Sequence, residues 1–169
     1  MDLPADHPSR RRLPPLLRNC WMRLNYTFMR RLADLNLTPD QYVALRWLVE
    51  ATDAGLSGLS QVEIVERMTS DPNTIAAMMK RMEKAGLVAR IPDPADKRRH
   101  IVSTTSSGQD TFAKALVRAK ELESQALRGL NAKEKQSFLT NLTAIATACM
   151  KARANDGNLN QPKETGPNL

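Results

Sequence analysis

The chain contains few of the residues from which metal sites and disulfide frameworks are built. Its 169 residues include two cysteines, Cys20 and Cys149, and two histidines, His7 and His100. These four residues are far apart in sequence, and none belongs to a cluster with the spacing of metal ligands. We therefore expect no metal and no cofactor, and the low cysteine content favours a reducing, cytoplasmic environment.

Long apolar runs are also absent from the sequence. No run approaches the roughly 18 residues that a membrane-spanning helix requires, and the amino terminus lacks the apolar core of a signal peptide. The sequence shows no nucleophile–base pair, no paired carboxylates and no phosphate-binding loop. We therefore predict neither a membrane partner nor an enzymatic activity.

Aromatic residues make up only 4% of the chain, whereas 41% of the residues are hydrophobic. Glycine and proline cluster at the ends and at turns, so these values favour one helix-rich domain with a sizeable core. The formal net charge is +7, which favours a polyanionic partner such as nucleic acid.

Three segments carry long apolar stripes at the spacing of one helix face. The first segment runs from Leu13 to Leu35, and the other two follow Thr105 and Asn131. The stripes consist of Leu17, Trp21, Leu24, Phe28, Leu32 and Leu35, then Phe112, Leu116, Ala119, Leu122, Ala126 and Leu130, then Phe138, Leu142, Ile145 and Cys149. One small lobe cannot cover this much apolar surface, so the stripes indicate association with another chain.

The segment between the first and second stripes predicts three shorter helices. Capping boxes begin the first two, at Thr38 and at Ser60, and Asp71-Pro72-Asn73-Thr74 begins the third. The helix after Ser60 is expected to bury Val62, Ile64, Val65 and Met68, and the helix after Asp71 is expected to bury Ile75, Met78, Met79 and Met82. Gly86 is a typical carboxyl-terminal cap. Two helices joined by such a short turn indicate a helix-turn-helix.

The segment from Leu87 to Thr105 predicts two short strands joined by a basic loop. Apolar residues mark each strand, and Lys97-Arg98-Arg99 lies near the tip between them. A narrow ribbon with a cationic tip suits a nucleic-acid groove, although the same charges would also occur on a solvated hairpin. Because a helix-turn-helix precedes the ribbon, we interpret it as the wing of a winged helix.

In this order of elements the chain resembles the MarR (multiple antibiotic resistance regulator) family of transcription factors. The resemblance covers about residues 13–153 and is most specific at Asp93-Pro94-Ala95-Asp96-Lys97-Arg98-Arg99-His100-Ile101-Val102, the pattern of the family's wing. Further matches are Leu59-Ser60-Gln61, Glu83-Lys84-Ala85-Gly86-Leu87-Val88, and Thr105 with Gly108. The resemblance implies a mainly α fold with a small β wing, a homodimer, and a double-stranded, pseudo-palindromic DNA operator.

The elements and the resemblance together define the expected organisation of the chain. A disordered basic tail is expected at 1–12, followed by a MarR-type domain at 13–153 and a disordered tail at 154–169. Within the domain, we expect 38–105 to form the winged helix-turn-helix lobe. The dimerisation helices are expected at 13–36 and 107–153.

The helix after Asp71 is expected to enter the major groove with its outer face. The candidate DNA-binding residues on this face are Asn73, Thr74, Ala76, Ala77, Lys80 and Arg81. Asn73 suits adenine and the two alanines suit a thymine methyl group, although Asn73 and Thr74 would also serve as simple helix caps. Many family members carry Thr and Arg where this chain has Ala76 and Ala77, so the resemblance implies a more apolar base readout here.

The resemblance also assigns roles to the wing. Arg98 corresponds to the family's minor-groove arginine, and Asp96 corresponds to the aspartate that braces it. Lys97 and Arg99 are expected to meet phosphate or solvent. Outside the wing, Ser60 and Gln61 are expected to bond phosphate from the first helix of the helix-turn-helix, with Ser60 alternatively serving only as a cap.

MarR-type proteins commonly bind small phenolic or aromatic anions between the dimer helices and the winged lobe. Trp21, Tyr26, Tyr42, Arg46 and Trp47 lie on the helices that would line this site, although aromatic residues at helical spacing are usually core. A redox-sensing branch of the family suggests an alternative role for Cys20. A repressor released by an aromatic effector is therefore expected, with a redox sensor or a winged-helix protein-interaction module as the alternatives.

The wing arginine provides a direct test of this interpretation. Replacing Arg98 with alanine should weaken operator binding by roughly 1–3 kcal/mol, because one cation is removed from the groove, and should leave the dimer folded. A titration at constant salt concentration measures this loss. Unchanged affinity would contradict the predicted role of Arg98.

Overall fold

The computed structural model describes residues 13–96 and 100–159. These ranges are mainly helical with one two-stranded sheet, as predicted. The order is α1 (Leu13–Leu32), a short 3-10 turn (Ala33–Leu35), α2 (Pro39–Asp53), α3 (Gln61–Met68), α4 (Pro72–Lys84), β1 (Val88–Pro92), β2 (His100–Thr104), α5 (Ser106–Ala126) and α6 (Ala132–Leu159). The chain divides into two compact units between Glu123 and Ser124.

The predicted capping boxes begin their helices. At α2, the Gln41 N–H donates to Thr38 Oγ1 at 3.2 Å, and the Thr38 N–H donates to Gln41 Oε1 at 2.9 Å. Ser60 and Glu63 form the same reciprocal pair at α3. Each box satisfies backbone donors that have no partner inside the helix. The starts of these helices are therefore encoded locally.

The core of the first unit is built from aliphatic, methionine and aromatic side chains of α1 to α5 and of the sheet. Its fully buried large side chains are Leu32, Leu45, Leu48, Leu59, Ile64, Ile75, Met79 and Met82. All four residues predicted for the inner face of α4 are at most 4% exposed. This confirms which face of α4 turns towards solvent.

One residue predicted to be buried on α3 is exposed. Val62 is 66% exposed, whereas Ile64 is 1% exposed. Residues two positions apart in an α-helix differ by about 200° around its axis, so the two side chains cannot face the same core. The interpretation of Val62 as mostly buried is therefore wrong.

The two strands form an antiparallel ribbon whose base is joined to the segment before α3. Val88 pairs with Thr104 and Pro92 pairs with His100. Leu59 and Val102 exchange both backbone hydrogen bonds, at 3.0 and 2.7 Å. A Cβ at Gly58 would lie 2.4 Å from the Val102 carbonyl oxygen, so only glycine allows this approach. The base of the ribbon is thus fixed to the helix-turn-helix.

The last helix is longer than the sequence indicated. In the second unit, α6 continues to Leu159, six residues beyond the end at 153 that was expected for the dimerisation helices. Adding a residue to an existing helix orders only that residue and gains a hydrogen bond, and a single glycine such as Gly157 costs only about 1 kcal/mol relative to alanine. The predicted tails at 1–12 and 160–169 lie outside the described residues.

Two alanine substitutions on α3 test which side chain stabilises the fold. Ile64→Ala should lower the free energy of unfolding by about 2–5 kcal/mol because it leaves a cavity in the core. Val62→Ala should change it by less than about 0.5 kcal/mol, as an exposed substitution does. Urea unfolding at one fixed protein concentration measures both, and equal losses would contradict the assigned orientation of α3.

Candidate nucleic-acid interface

The outer face of α4 presents most of the predicted DNA-binding residues to solvent. Asn73, Thr74, Ala77, Lys80 and Arg81 are exposed, and Ala76 is half-buried. The buried face of the same helix holds this arrangement in place. The structure therefore brings the six candidate residues onto one helix, with short side chains in the middle and cations towards the carboxyl end.

The cap of α4 is provided by Asp71, the residue before the helix. Asp71 Oδ1 accepts a hydrogen bond from the Thr74 N–H at 2.8 Å. A side-chain hydrogen bond from Thr74 is the largest cause that holds the pKa of Asp71 below its usual value, and the backbone N–H of Thr74 adds to it. The Thr74 N–H therefore belongs to the cap. The cap position is not Asn73, whose side chain is exposed.

Two further cations lie on this surface that the sequence analysis did not select. Lys84 lines a shallow groove on α4 together with Ala77, Lys80, Arg81 and Glu83. Arg90 lies on β1, and its Nε is 3.6 Å from Glu83 Oε2. The spacing of four between Lys80 and Lys84 is the signal that would have found Lys84. The position of Arg90 on this surface depends on how the ribbon packs beside α4, and the sequence has no local signal for that packing.

The helix before the turn begins with two further candidate residues, Ser60 and Gln61. Ser60 is buried, its hydroxyl donates to Glu63 Oε2 at 2.7 Å, and it accepts from the Glu63 N–H at 3.3 Å. These bonds support the alternative role of Ser60 as a cap. Gln61 is half-buried in the first turn of α3.

The wing is described only in part. Asp96 and His100 are exposed on either side of the tip, and Asp93 Oδ1 accepts from the Ala95 N–H at 2.9 Å, which stabilises the turn after β1. Lys97, Arg98 and Arg99 lie outside the described residues. Their roles, and the role of Asp96 as a brace, stay predictions.

A cavity of about 340 Å³ lies between α2 and α5 in the first unit, and two of the predicted effector residues line it, Tyr42 and Arg46. The Tyr42 ring stacks on Phe112 at 5.5 Å between centroids, and its burial raises the pKa of its hydroxyl. Arg46 Nε is 2.7 Å from Glu50 Oε1 at the cavity edge. The cavity thus combines an aromatic wall with a charged rim.

The other effector candidates do not line this cavity. Trp21 and Tyr26 are exposed on α1, and Trp47 packs against the Arg67 guanidinium, which is 5.4 Å from its ring centroid. Cys20 is also exposed on α1, and its redox role stays a prediction. Periodicity selected all of these residues because they share helices, but it did not show which side chains converge.

None of the helices in the described ranges is both long enough and apolar enough to cross a membrane. Residues 13–96 and 100–159 contain no group of three or more potential ligands that would hold a metal ion.

Comparison with known proteins identifies the family. The model of the MarR family matches residues 37–100, which run from two residues before α2 to the first residue of β2. The transcriptional regulator HosA of Escherichia coli is 35% identical over 104 residues, which are 62% of this chain and 73% of HosA. The chain belongs to the MarR family. It is accordingly a DNA-binding transcriptional regulator, and its relatives and its fold are those of regulators rather than enzymes.

Further relatives of this MarR-family protein match a larger share of its chain. The repressor NicR of Pseudomonas putida is 32% identical over 124 residues, which are 73% of this chain and 75% of NicR. The repressor CouR, solved on a 23-mer DNA duplex, is 28% identical with a TM-score of 0.69, over 79% of this chain and 92% of CouR. BpsR of Bordetella bronchiseptica, whose DNA binding is regulated by 6-hydroxynicotinic acid, is 26% identical with a TM-score of 0.71, over 83% and 96% of the chains.

The cap of α4 predicts a pH dependence. Because the pKa of Asp71 is lowered in the folded protein, its contribution to stability is fully present above its ordinary value of 3.8 and is lost as the pH falls through the lower folded value. Asp71→Ala should therefore be less stable than the wild type near neutral pH, and this difference should shrink below about pH 4. Urea unfolding of both proteins across this range tests it, and a difference that does not change with pH would refute the cap.

Proposed function

We propose that the protein is a dimeric, sequence-specific repressor that leaves its operator when a small aromatic or phenolic effector binds. The observation that carries the proposal is the exposed outer face of α4, which adjoins a ribbon joined to the same helix-turn-helix. A helix and a ribbon placed side by side match the two grooves that winged-helix proteins contact.

Within α4, we assign base reading to the amino-terminal end and phosphate contacts to the carboxyl-terminal end. Asn73 is exposed one turn from Ala77, so its amide and the alanine methyl group would meet adjacent base edges. Lys80, Arg81 and Lys84 form a cationic end suited to phosphate oxygens. CouR, which is 28% identical, has been solved on duplex DNA, and this supports the proposal.

The exposed apolar residues of α1 and α6 support a homodimer. On α1, Leu17 and Trp21 are exposed, as are Phe138 and Leu142 on α6. Solvent-exposed apolar stripes of this length indicate association. A two-fold dimer would place two copies of α4 on one duplex and would require a pseudo-palindromic site.

The cavity beside Tyr42 is the proposed effector site. Its volume of about 340 Å³ lies at the small end of the range for ligand sites, which favours a single aromatic ring. Tyr42 provides an aromatic wall with a hydroxyl, and Arg46 provides a cation that an aromatic acid would bind by displacing Glu50. The regulation of BpsR by 6-hydroxynicotinic acid supports this ligand class, and the naming of NicR as a repressor supports repression.

Selection of bound sequences from a random duplex library tests the proposal. The full chain should enrich a pseudo-palindrome with half-sites about one helical turn apart, and hydroxylated aromatic acids should release it. Enrichment of no sequence, together with weak binding that varies little with salt concentration, would instead indicate the winged-helix protein-interaction module.

Two variants of α4 separate base reading from phosphate contact. Asn73→Ala should cost about 1–3 kcal/mol on the selected operator and relax selection at one position of each half-site. Lys80→Ala should weaken binding to all sequences alike and reduce the salt slope by about 1. The same library selection and salt titrations measure both, and an Asn73→Ala variant with unchanged sequence preference would contradict its role.

A further inference from the structure

The turn between α4 and β1 is attached to the start of α5 through one side chain. The Thr105 hydroxyl donates to the Gly86 carbonyl oxygen at 2.6 Å, and the Thr105 N–H donates to the Leu87 carbonyl oxygen at 3.1 Å. The same hydroxyl accepts from the Gly108 N–H at 3.0 Å and thereby caps α5. Thr105 directly follows β2, so it connects the end of the recognition helix, both strands of the ribbon and α5.

The backbones at this junction are in close contact. A Cβ at Gly108 would lie 1.9 Å from the Leu87 carbonyl oxygen, so the first turn of α5 approaches the α4–β1 turn without room for a side chain. The turn itself is tightly formed, because the Leu87 N–H donates to the Met82 carbonyl oxygen at 3.0 Å and Gly86 has a φ of +72°. Both carbonyl oxygens that leave this turn are thus held by Thr105.

The junction determines how α4 and the ribbon are oriented relative to each other. Gly86 and Leu87 are the residues between the end of α4 and the start of β1, apart from Ala85, which caps the helix. A small rotation at this turn would displace the far end of the ribbon, at Pro92 and His100, much further than it displaces the turn. A protein that contacts two grooves of one duplex needs this angle to be held by supporting side chains.

We propose that Thr105 is a positioning residue for DNA recognition, because its hydroxyl fixes the turn that sets the angle between the recognition helix and the wing. The Thr105 hydroxyl makes both of its hydrogen bonds within the protein, to Gly86 and to Gly108. The proposal rests on the proposed reading of DNA by α4 and the wing. The Thr105 hydroxyl should therefore affect sequence discrimination, which requires α4 and the wing to be aligned. It should affect general affinity less, because general affinity depends on charge.

Three substitutions separate the two bonds of the hydroxyl. Thr105→Ser retains both the bond to Gly86 and the cap. Thr105→Asp retains an acceptor that caps α5 but cannot donate to the Gly86 carbonyl oxygen. Ser106→Asp is the matched control, since it introduces the same charge at an exposed neighbouring position and leaves Thr105 intact.

The readout is the ratio of affinities for the selected operator and for a scrambled duplex at one salt concentration. Thr105→Asp should lower this ratio by about tenfold, which corresponds to the net value of roughly one hydrogen bond. Thr105→Ser and Ser106→Asp should retain it. Loss of stability alone would reduce the active fraction on both duplexes equally and would leave the ratio unchanged, so the ratio distinguishes positioning from folding.

Amide hydrogen exchange of the DNA-free protein tests the junction separately. The Leu87 amide should exchange faster in Thr105→Asp than in Ser106→Asp. Unchanged exchange or an unchanged affinity ratio in Thr105→Asp would overturn the inference. Selection of no sequence by the wild-type chain would overturn the proposed function as well.

A second pair of variants covers the case in which Thr105→Asp does not fold. Thr105→Ala is then compared with Thr38→Ala, which removes the cap hydroxyl of α2. Equal affinity ratios in this pair would overturn the inference.

Discussion

The burial of one face of α4 is the constraint on which the other features of this lobe depend. Ile75, Met78, Met79 and Met82 are all nearly inaccessible, and together they fix the rotation of the helix about its own axis. Burial of side chains of this size stabilises the lobe by about 1.5–3 kcal/mol each, far more than any single polar contact on the outer face. The residues that face DNA are therefore positioned by residues that never contact it.

The second constraint is the close approach of backbones around the ribbon. Gly58 lies against the Val102 carbonyl oxygen, and Leu59 pairs with Val102 on the edge of β2. Gly108 approaches Leu87 even more closely, at the end of the ribbon away from the tip. Backbone contacts of this kind leave little freedom for sliding, because a shift would separate hydrogen-bonded groups. The ribbon is consequently fixed to the helix-turn-helix at its base, before it reaches the wing tip.

The features that could be predicted from the sequence are those with a local physical cause. The caps at Thr38, Ser60 and Asp71 need only neighbours three residues away, and the buried face of α4 follows from a period of 3.6 residues. The expected burial of Val62 was wrong because apolar character was considered without its angle around α3. Helix α6 continues past residue 153 although the segment from Asn155 carries no apolar stripe, because an established helix extends at little cost.

The candidate sites likewise depend on tertiary packing that neighbouring residues in the sequence do not determine. Tyr42 and Arg46 converge on one cavity, whereas Trp21, Tyr26 and Trp47 do not, and this difference depends on the packing of α2 against α5. Arg90 lies on the cationic surface because β1 packs beside α4, where Arg90 pairs with Glu83. Contacts between residues that are distant in sequence have no periodic signal in one chain, so sequence patterns alone could not select among these candidates.

The composition of the outer face of α4 indicates how the proposed DNA recognition is divided between base contacts and readout of duplex shape. The Thr74 N–H is engaged by Asp71, and Ala76 and Ala77 offer only methyl groups. Asn73 and Thr74 are then the exposed polar side chains at the amino-terminal end that can read a base edge, since the cations of this helix lie towards its other end. With short side chains in the middle, the α4 backbone can approach the bases closely, and discrimination then depends more on the shape of the duplex. Shape readout depends on a fixed angle between helix and wing, which makes the junction at Gly86 and Leu87 as important to recognition as the exposed residues.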